Sequence, residues 1–360
     1  MKLRNAISDI TPYIPGTTRG NAVKLSSNEN PFGASPRVAE ALAGLSTSLH
    51  VYPDPGAGKL RDLLASRHDI SPAQCIVGNG SDEIMQIIAG TFLNPGETTL
   101  SSAHTFSQYK SVTQIFDGVY HEVPMVDGRF NAPALAEAAR SLSPRIVWLC
   151  NPNNPTGTIM THAEVRTVIQ ACPAETLVVL DEAYADYADD PDFPDSRALI
   201  DEYPNLVVLR TFSKLFGLAA LRIGYGFGNE DLIRQLYTIK QPFNVNAAAQ
   251  TAACTALGDL DHARSSIEHN RIGRDRMYTI FETLGLSYYR SQGNFVAVKV
   301  PAAAADIAAR MMDKGVAVRP LGSFGLPQWI RITVGTDHHI DLVEHALTAA
   351  LKLETHTVHR

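Results

Sequence analysis

Between about residues 71 and 228 the sequence alternates short apolar runs with helical stretches. The apolar runs are rich in Val, Ile and Leu, and we predict buried strands at 74–77, 98–100, 145–149, 177–180, 206–209 and 223–227. The stretches between them predict helices, among them 82–92, 106–116 and 163–171. Strands that are apolar on both faces and alternate with helices are typical of an α/β fold with a mostly parallel sheet covered by helices on both sides.

The character of the sequence changes after about residue 246. A long helical stretch, 247–284, precedes short strands at 286–289, 295–300, 316–319 and 329–334 and a closing helix at 339–353. This order of elements is typical of a smaller α+β domain. A chain of 360 residues is longer than a domain with a single hydrophobic core usually is, which suggests two domains. We therefore expect a large α/β domain at 46–246, and a smaller one formed by 247–360 with the N-terminal segment 1–45.

Composition narrows the classes of partner. The formal net charge is −6 and no run of Lys or Arg occurs, which argues against nucleic acid or an anionic membrane. No stretch has the length and hydrophobicity of a signal peptide or a membrane span, so a cytoplasmic location is expected. The cysteines show no CxxC spacing and the histidines no HExxH spacing, so no structural metal is expected.

One lysine stands in a setting that is typical of covalent chemistry. The segment 211–218, Thr-Phe-Ser-Lys-Leu-Phe-Gly-Leu, places Lys214 just after two hydroxyl residues and before a glycine turn, and Arg222 follows eight residues later. An amine that forms a Schiff base, with hydroxyls and a guanidinium for a phosphate, is what a protein needs to hold a phosphorylated aldehyde. A surface lysine beside a turn is the alternative that this segment alone leaves open.

A second segment is typical of a phosphate site. Residues 78–83, Gly-Asn-Gly-Ser-Asp-Glu, follow a predicted strand and open a helix, whose N-terminal N–H groups attract anions. A dinucleotide-binding fingerprint would require glycine at position 83, where Glu83 stands. The simpler interpretation is a strand–helix turn capped by Ser81 or Asp82, and the two interpretations are compatible.

Polar residues also follow two further predicted strands. The turn 151–157, Asn-Pro-Asn-Asn-Pro-Thr-Gly, ends one strand, and Asp181 and Tyr184 follow the next. Ligands of open α/β sheets bind at the carboxyl ends of the strands, where a carboxylate can neutralise a protonated ring nitrogen. Plain turn and cap roles are the alternatives. Arg331, inside the apolar strand 329–334, faces either this cleft or solvent.

Taken together, these segments resemble the pyridoxal 5'-phosphate (PLP) aminotransferases of the aspartate aminotransferase fold, fold type I, and specifically the histidinol-phosphate aminotransferase family. The resemblance covers nearly the whole chain and rests on 26–33, 52–54, 78–83, 151–157, 181–184, 211–222 and 331–335. It implies PLP as cofactor. It also implies reversible transamination between L-histidinol phosphate and 2-oxoglutarate, giving imidazole-acetol phosphate and L-glutamate, in histidine biosynthesis.

The resemblance also assigns residues to the cofactor. Lys214 would form the Schiff base with PLP and then carry the proton between substrate and cofactor, while Asp181 would keep the pyridine nitrogen protonated. Asn154 and Tyr184 would hydrogen-bond the phenolic oxygen, and Phe106 would stack on the ring. The residues expected at the phosphate are Ser81, Asp82, Thr211, Ser213 and Arg222, joined by Tyr52 of a partner subunit. Tyr52 therefore implies a homodimer with shared active sites.

Substrate contacts are implied at four positions. Arg331 matches the arginine that grips the carboxylate of glutamate, and it is expected to help bind the phosphate of histidinol phosphate. Tyr13, Arg319 and Tyr109 are the further candidates. The chain departs from the family pattern at Leu215, where Ala is usual, and at Ala220, where Gly is usual. Both are packing changes near the cofactor, so they bear on the substrate pocket more than on the reaction.

Other functions stay open at this point. An aromatic amino acid aminotransferase shares nearly every motif, and a threonine-phosphate decarboxylase-like lyase would break Cα–CO₂⁻ in place of Cα–H. A non-catalytic binding module of this fold is disfavoured by the acidic charge, by the absence of an added helix-turn-helix segment and by the presence of both Lys214 and Asp181. A nicotinamide dehydrogenase is disfavoured by Glu83 and by the lysine segment.

Overall fold

The structure, a computed structural model, describes residues 3–8, 10 and 18–352. Its strands, numbered in chain order over these residues, are β1 (Val23–Lys24), β2 (Cys75–Gly78), β3 (Thr98–Ser102), β4 (Val119–Val123), β5 (Ile146–Cys150), β6 (Leu177–Asp181), β7 (Leu206–Thr211), β8 (Gly224–Gly228), β9 (Phe295–Lys299), β10 (Val316–Ala317), β11 (Arg319–Pro320) and β12 (Trp329–Thr333).

Several of the described α-helices begin at residues whose side chains cap them. Thr161 and Glu164 form a capping box on the helix that follows Thr161, and Asn131, Asn246 and Asp259 each accept a backbone N–H of the helix that follows. The helices are α1 (Pro36–Ala43), α2 (Gly58–His68), α3 (Ser81–Phe92), α4 (Gln108–Ile115), α5 (Ala132–Leu142), α6 (His162–Ala171), α7 (Ser196–Glu202), α8 (Glu230–Leu236), α9 (Ala247–Leu257), α10 (Leu260–Thr283), α11 (Ala304–Asp313) and α12 (Asp337–Lys352).

Within residues 18–352, seven strands form the central sheet in the order β2-β8-β7-β6-β5-β3-β4. The neighbours from β7 to β4 run parallel, whereas β8 lies antiparallel to both β7 and β2. Every residue of β5 and β6 is buried although successive side chains point to opposite faces, so both faces of the sheet are covered. The predicted fold class is confirmed.

Large side chains fix the helices on this sheet. Trp148 of β5 stacks on Tyr109 of α4, with ring centroids 5.4 Å apart and the planes 7° from parallel. Both side chains are fully buried. Truncating a core aromatic of this kind costs about 3–5 kcal/mol. The packing of α4 therefore holds the end of β5 in place beside β6.

The strands that follow the central sheet in sequence include a three-stranded antiparallel sheet in the order β11-β12-β9. In it Arg331 pairs in register with Arg319 on one side and with Ala297 on the other. The N-terminal strand β1 pairs in parallel with β10, which ties the segment after residue 22 to this part of the molecule. Helices α10, α11 and α12 supply most of a second hydrophobic cluster around these strands.

The two hydrophobic clusters do not coincide with the expected domains at every point. The first cluster includes Val38 of α1 and Ala252 of α9, and both lie in segments assigned to the smaller domain. The division into 46–246 and 1–45 with 247–360 stays a prediction. None of the described helices combines the length and the hydrophobicity that crossing a membrane requires.

Three details of the sequence interpretation are wrong. The stretch 247–284 is two helices, because α9 ends at Leu257 with Gly258 as its C-cap, and Asp259 caps α10 by accepting the His262 N–H. The segment 286–289 is not a strand and contributes only an isolated bridge of Tyr288. The segment 316–319 divides between β10 and β11, which pair with different partners because the chain passes from one sheet to the other at Val318.

Candidate active site

A cavity of about 390 Å³ lies at the carboxyl ends of β5, β6 and β7. Because these strands are parallel neighbours, the polar residues that end them meet at one edge of the sheet. The sequence-predicted residues that line the cavity are Ser81, Asp82, Phe106, Asn154, Asp181, Tyr184, Thr211, Ser213, Lys214, Arg222, Arg319 and Arg331.

Lys214 lies in the turn that follows β7. Its Nζ donates a hydrogen bond to the Ser27 carbonyl oxygen at 3.3 Å and lies 5.5 Å from the centre of the Tyr184 ring. Burial, together with the positive charge of Arg331, lowers the pKa of this amine from 10.5 to about 8. A pKa lowered to this extent increases the neutral, nucleophilic amine at pH 7 by about 300-fold.

Asp181 is the last residue of β6 and is buried. Its Oδ2 accepts a hydrogen bond from the Tyr109 hydroxyl at 2.7 Å, and its Oδ1 accepts one from the Ala183 N–H at 3.2 Å. Burial raises the pKa of the carboxyl from 3.8 to about 6, and these two hydrogen bonds act in the opposite direction. A buried carboxylate at a cavity wall is stabilised by a cationic ligand, such as a protonated ring nitrogen.

Tyr109 does not contact the cavity. It is fully buried, and its ring lies on Trp148 while its hydroxyl reaches Asp181. Phe106, which precedes α4, lines the cavity instead. The expectation that Tyr109 binds substrate is therefore wrong, because its position on α4 turns the side chain toward the sheet. In this position Tyr109 orients the Asp181 carboxylate through its hydrogen bond.

Tyr109→Phe removes this donor and keeps the ring. Because the hydrogen bond favours the ionised carboxyl, its loss raises the pKa of Asp181 further above its ordinary value. In the protein without cofactor, Asp181 is ionised above about pH 6 and neutral below it. We expect PLP affinity to increase as the pH rises through about 6 in the wild type, and to increase at a higher pH in Tyr109→Phe. Fluorescence titrations between pH 5 and 8 measure both midpoints, and coincident midpoints would contradict this role.

The expected phosphate site lies where the N-terminus of α3 meets Arg222. The guanidinium donates to Ser213 Oγ and to Asp82 Oδ2, each at 3.4 Å. At Gly80, the residue before the helix, a Cβ would stand 2.6 Å from Arg222 Nη2. Glycine at this position therefore lets the Arg222 guanidinium approach the helix N-terminus closely, so that backbone N–H groups and positive charge meet where both favour an anion.

Gly80→Ala is expected to weaken PLP binding, by about tenfold or more, because the new methyl group displaces Arg222. Gly96→Ala is the matched control, since Gly96 has a similar φ of +84° against +78° for Gly80, but has open space where a Cβ would stand. Both variants strain the backbone, at a cost of roughly 1–3 kcal/mol. Equilibrium titration with PLP should separate them, and equal losses of affinity would contradict a role for the close approach of Arg222 to Gly80.

Arg331 faces the cavity. Its side chain donates from Nη1 to Asn154 Oδ1 and from Nη2 to the Ser26 carbonyl oxygen at 2.8 Å, and only 7% of the residue is exposed. The guanidinium also lies 5.5 Å from the centre of the Phe295 ring. The interpretation as a solvent-facing arginine on an edge strand is therefore excluded. A guanidinium fixed on a cavity wall in this way is suited to a carboxylate or a phosphate.

Asn28, which the sequence reasoning did not assign, orients Tyr184. Its Nδ2 donates to the Tyr184 hydroxyl oxygen at 2.9 Å. Its backbone has a φ of 56°, a conformation that Asn tolerates better than most residues. The backbone N–H bonds to Thr333 Oγ1 and the carbonyl oxygen accepts from Asn294 Nδ2. Other residues that line the cavity and were missed include Lys24, Ser27, Glu29, Cys150 and Phe324.

One further predicted residue, Tyr52, is not brought to this cavity. Tyr52 is 78% exposed and stacks on Phe243, with ring centroids 4.6 Å apart, and it is not among the lining residues. Tyr13 falls outside the described residues. Within the described part of the chain, no group of three or more His, Cys, Asp or Glu side chains is placed to hold a metal ion.

Comparison with known proteins shows which family the chain resembles. The model of the family "Aminotransferase class I and II" matches residues 20–349. The histidinol-phosphate aminotransferase of Geobacillus sp. (strain WCH70) is 40% identical over 98% of this chain and 99% of its own length. That of Halalkalibacterium halodurans is 41% identical over the full length of both chains. The crystal structure of histidinol-phosphate aminotransferase from Sinorhizobium meliloti in complex with pyridoxal-5'-phosphate has a TM-score of 0.91, 30% identity and 98% coverage of both chains.

The fold, the site and these matches define a class I and II aminotransferase. Within this class, the chain belongs to the histidinol-phosphate aminotransferase family. The predicted family and enzyme class are confirmed.

Proposed function

We propose that this protein catalyses PLP-dependent transamination between L-histidinol phosphate and 2-oxoglutarate, giving imidazole-acetol phosphate and L-glutamate in histidine biosynthesis. The observation that carries the proposal is the placement of Lys214 and Asp181 on one cavity that also holds the anion site at the N-terminus of α3. The name shared by the relatives supports this choice of substrate.

The residues of the cavity fit PLP. The N-terminus of α3 and the donors Arg222 and Ser213 suit its phosphate. The buried carboxylate of Asp181 suits its ring nitrogen, and the amine of Lys214 suits its aldehyde. When bound, PLP supplies an electron sink for negative charge that develops at the substrate Cα.

Three side chains prepare the cavity for proton transfer. The Lys214 amine, with a pKa of about 8, can accept the proton from the substrate Cα and return it near neutral pH. Burial raises the pKa of the Tyr184 hydroxyl to about 12, so this group stays protonated. Because Asn28 Nδ2 donates to the Tyr184 oxygen, the tyrosine O–H is left to donate into the cavity, toward the cofactor's phenolic oxygen.

Two guanidinium groups support a phosphorylated substrate. Arg319 and Arg331 are register partners on β11 and β12, and both line the cavity. The α-carboxylate of an amino acid carries one charge, whereas the phosphate monoester that replaces it in histidinol phosphate carries nearly two at neutral pH. A pair of guanidiniums is suited to the phosphate, because arginine binds its oxygens through several charged hydrogen bonds.

Steady-state kinetics test the proposed substrate. We expect kcat/KM for L-histidinol phosphate to exceed that for L-phenylalanine by about 100-fold, each with 2-oxoglutarate, because one additional charged contact contributes about 1.5–3 kcal/mol. L-histidinol, which lacks the phosphate, is the matched control and should be a poor substrate. A preference for phenylalanine would favour an aromatic amino acid aminotransferase, and release of CO₂ from threonine phosphate would favour a lyase.

We also infer a cytoplasmic homodimer in which Tyr52 serves the active site of the partner subunit. Tyr52 is presented at the surface with Leu49 and Val51, which are 75% and 59% exposed. Three exposed apolar residues in one short segment are an unfavourable arrangement for a monomer, and a second copy of the chain would cover them. Stacking on Phe243 holds the Tyr52 ring for such a contact.

Mixing two inactive subunits tests this shared site. Lys214→Ala and Tyr52→Ala subunits are unfolded together, refolded and assayed at limiting PLP. Each mixed dimer contains one site with Lys214 from one subunit and Tyr52 from the other. Random association then places about a quarter of all sites in this intact state, so we expect about a quarter of wild-type activity. Activity equal to the average of the two separate variants would contradict a shared site.

A further inference from the structure

An ion pair in the cavity has no role in the chemistry described above. Lys24 of β1 and Glu29 both line the cavity, and Lys24 Nζ lies 2.7 Å from Glu29 Oε1. Their side chains are 41% and 45% exposed. An ion pair with this exposure contributes only about 0–1 kcal/mol to folding. Stability therefore gives little reason for placing two opposite charges at this point.

The pair lies on the substrate side of the cavity. The segment 27–29 passes the reacting amine, since the Ser27 carbonyl oxygen accepts a hydrogen bond from Lys214 Nζ. Lys24 pairs in register with Ala317, two residues before Arg319. The negative charge of Glu29 acts on Lys214 and raises the pKa of that amine, opposing the effect of burial. Glu29 and Lys214 therefore face the same space.

The proposed reaction requires one cavity to bind two amino donors whose side chains differ in charge. A transaminase binds two amino donors in turn in one cavity. The side chain of glutamate ends in a carboxylate, whereas that of histidinol phosphate ends in an imidazole, which donates N–H and is partly cationic near pH 6.5. A single fixed charge would repel one of the two. An ammonium and a carboxylate that pair with each other when the site is empty offer a partner to both.

We propose that Lys24 and Glu29 determine the side-chain specificity of the site: Lys24 binds the side-chain carboxylate of glutamate, and Glu29 accepts the N–H of the imidazole. This inference rests on the proposed function and extends it to the part of the substrate that does not react. It assigns one charge of the pair to each half-reaction.

Separate half-reactions test the assignment. Rapid-mixing measurements of the PLP-loaded enzyme with glutamate alone, and with histidinol phosphate alone, give the apparent dissociation constant of each donor. We expect Glu29→Gln to weaken the binding of histidinol phosphate by about tenfold and to change the binding of glutamate by no more than about twofold. For Lys24→Met we expect the reverse: weaker binding of glutamate and nearly unchanged binding of histidinol phosphate. Glu202→Gln is the matched control. It breaks the Arg166–Glu202 pair, whose side chains are 40% and 45% exposed and do not line the cavity. The apparent dissociation constants of both donors should therefore stay unchanged.

Two outcomes would overturn the inference. In the first, each variant weakens the binding of both donors equally. In the second, neither variant alters the binding of either donor. Thermal unfolding of the variants shows whether any loss arises from the fold. Failure of the proposed function looks different: the wild-type enzyme would then not react with histidinol phosphate at all, while the effect of Lys24→Met on glutamate would still be measurable.

Discussion

Lys214→Ala is expected to abolish transamination, with kcat reduced by at least about 10⁴-fold. The substitution removes both the amine that holds the cofactor and the group that carries the proton to and from the substrate Cα. Among the described residues that line the cavity, Lys24 is the other lysine, and it lies 2.7 Å from Glu29 in an ion pair. Of the described residues at this cavity, none therefore places a free amine where it could replace Lys214. Single-turnover assays with glutamate measure the loss directly.

Two comparisons make this result specific. Lys314→Ala removes an exposed lysine at the end of α11 and should leave kcat unchanged. A small primary amine added to Lys214→Ala can enter the space left by the side chain, and we expect it to restore part of the rate. A Lys214→Ala enzyme that keeps wild-type turnover would show that another group carries the proton.

Asp181→Asn is expected to lower kcat by about 10²–10⁴-fold. Asparagine has nearly the same shape and can still accept the Tyr109 hydrogen bond, but it carries no charge to keep the ring nitrogen protonated. The electron sink is then weakened at every step that develops negative charge at the substrate Cα. Asp181→Glu keeps the charge with altered geometry and should lose less activity. Steady-state kinetics with saturating PLP compare the two variants.

Asp181→Asn should not weaken the fold of the protein without cofactor. The pKa of this carboxyl rises from 3.8 to about 6 on folding, so the folded state disfavours the ionised form. For an acid with a raised pKa, that cost applies in full above about pH 6 and disappears as the pH falls below its unfolded value. At pH 8 the free energy of unfolding of Asp181→Asn should equal or exceed that of the wild type. Loss of activity together with loss of stability would contradict a purely catalytic role.

The sequence predicts those parts of the site that depend on strand ends and local turns. Asp181 ends one of the parallel strands of the central sheet, and Asn154 and Lys214 follow two others, so their meeting at one edge follows from the topology alone. The presence of Glu83 also has a local explanation, because its carboxylate accepts the Asn79 N–H and closes the turn before α3. Such features depend on residues that are close in sequence.

Contacts between distant segments could not be predicted in this way. Asn28 reaches Tyr184 across 156 positions, and its own backbone is held by Thr333, 305 positions away. The inward orientation of Tyr109 depends on which face of α4 meets Trp148. Strands of two residues, such as β10 and β11, are defined by their pairing partners and not by a local pattern. These are the places where the sequence interpretation failed or assigned nothing.

Covalent attachment at Lys214 is the central claim, and reduction with borohydride tests it most directly. The protein is loaded with PLP, reduced, digested and mapped by mass spectrometry. We predict that the peptide containing Lys214 carries the added mass of the reduced cofactor and that Lys214→Ala carries none. An active enzyme whose cofactor is found on Lys24 or on any other lysine, or on none, would contradict the assignment.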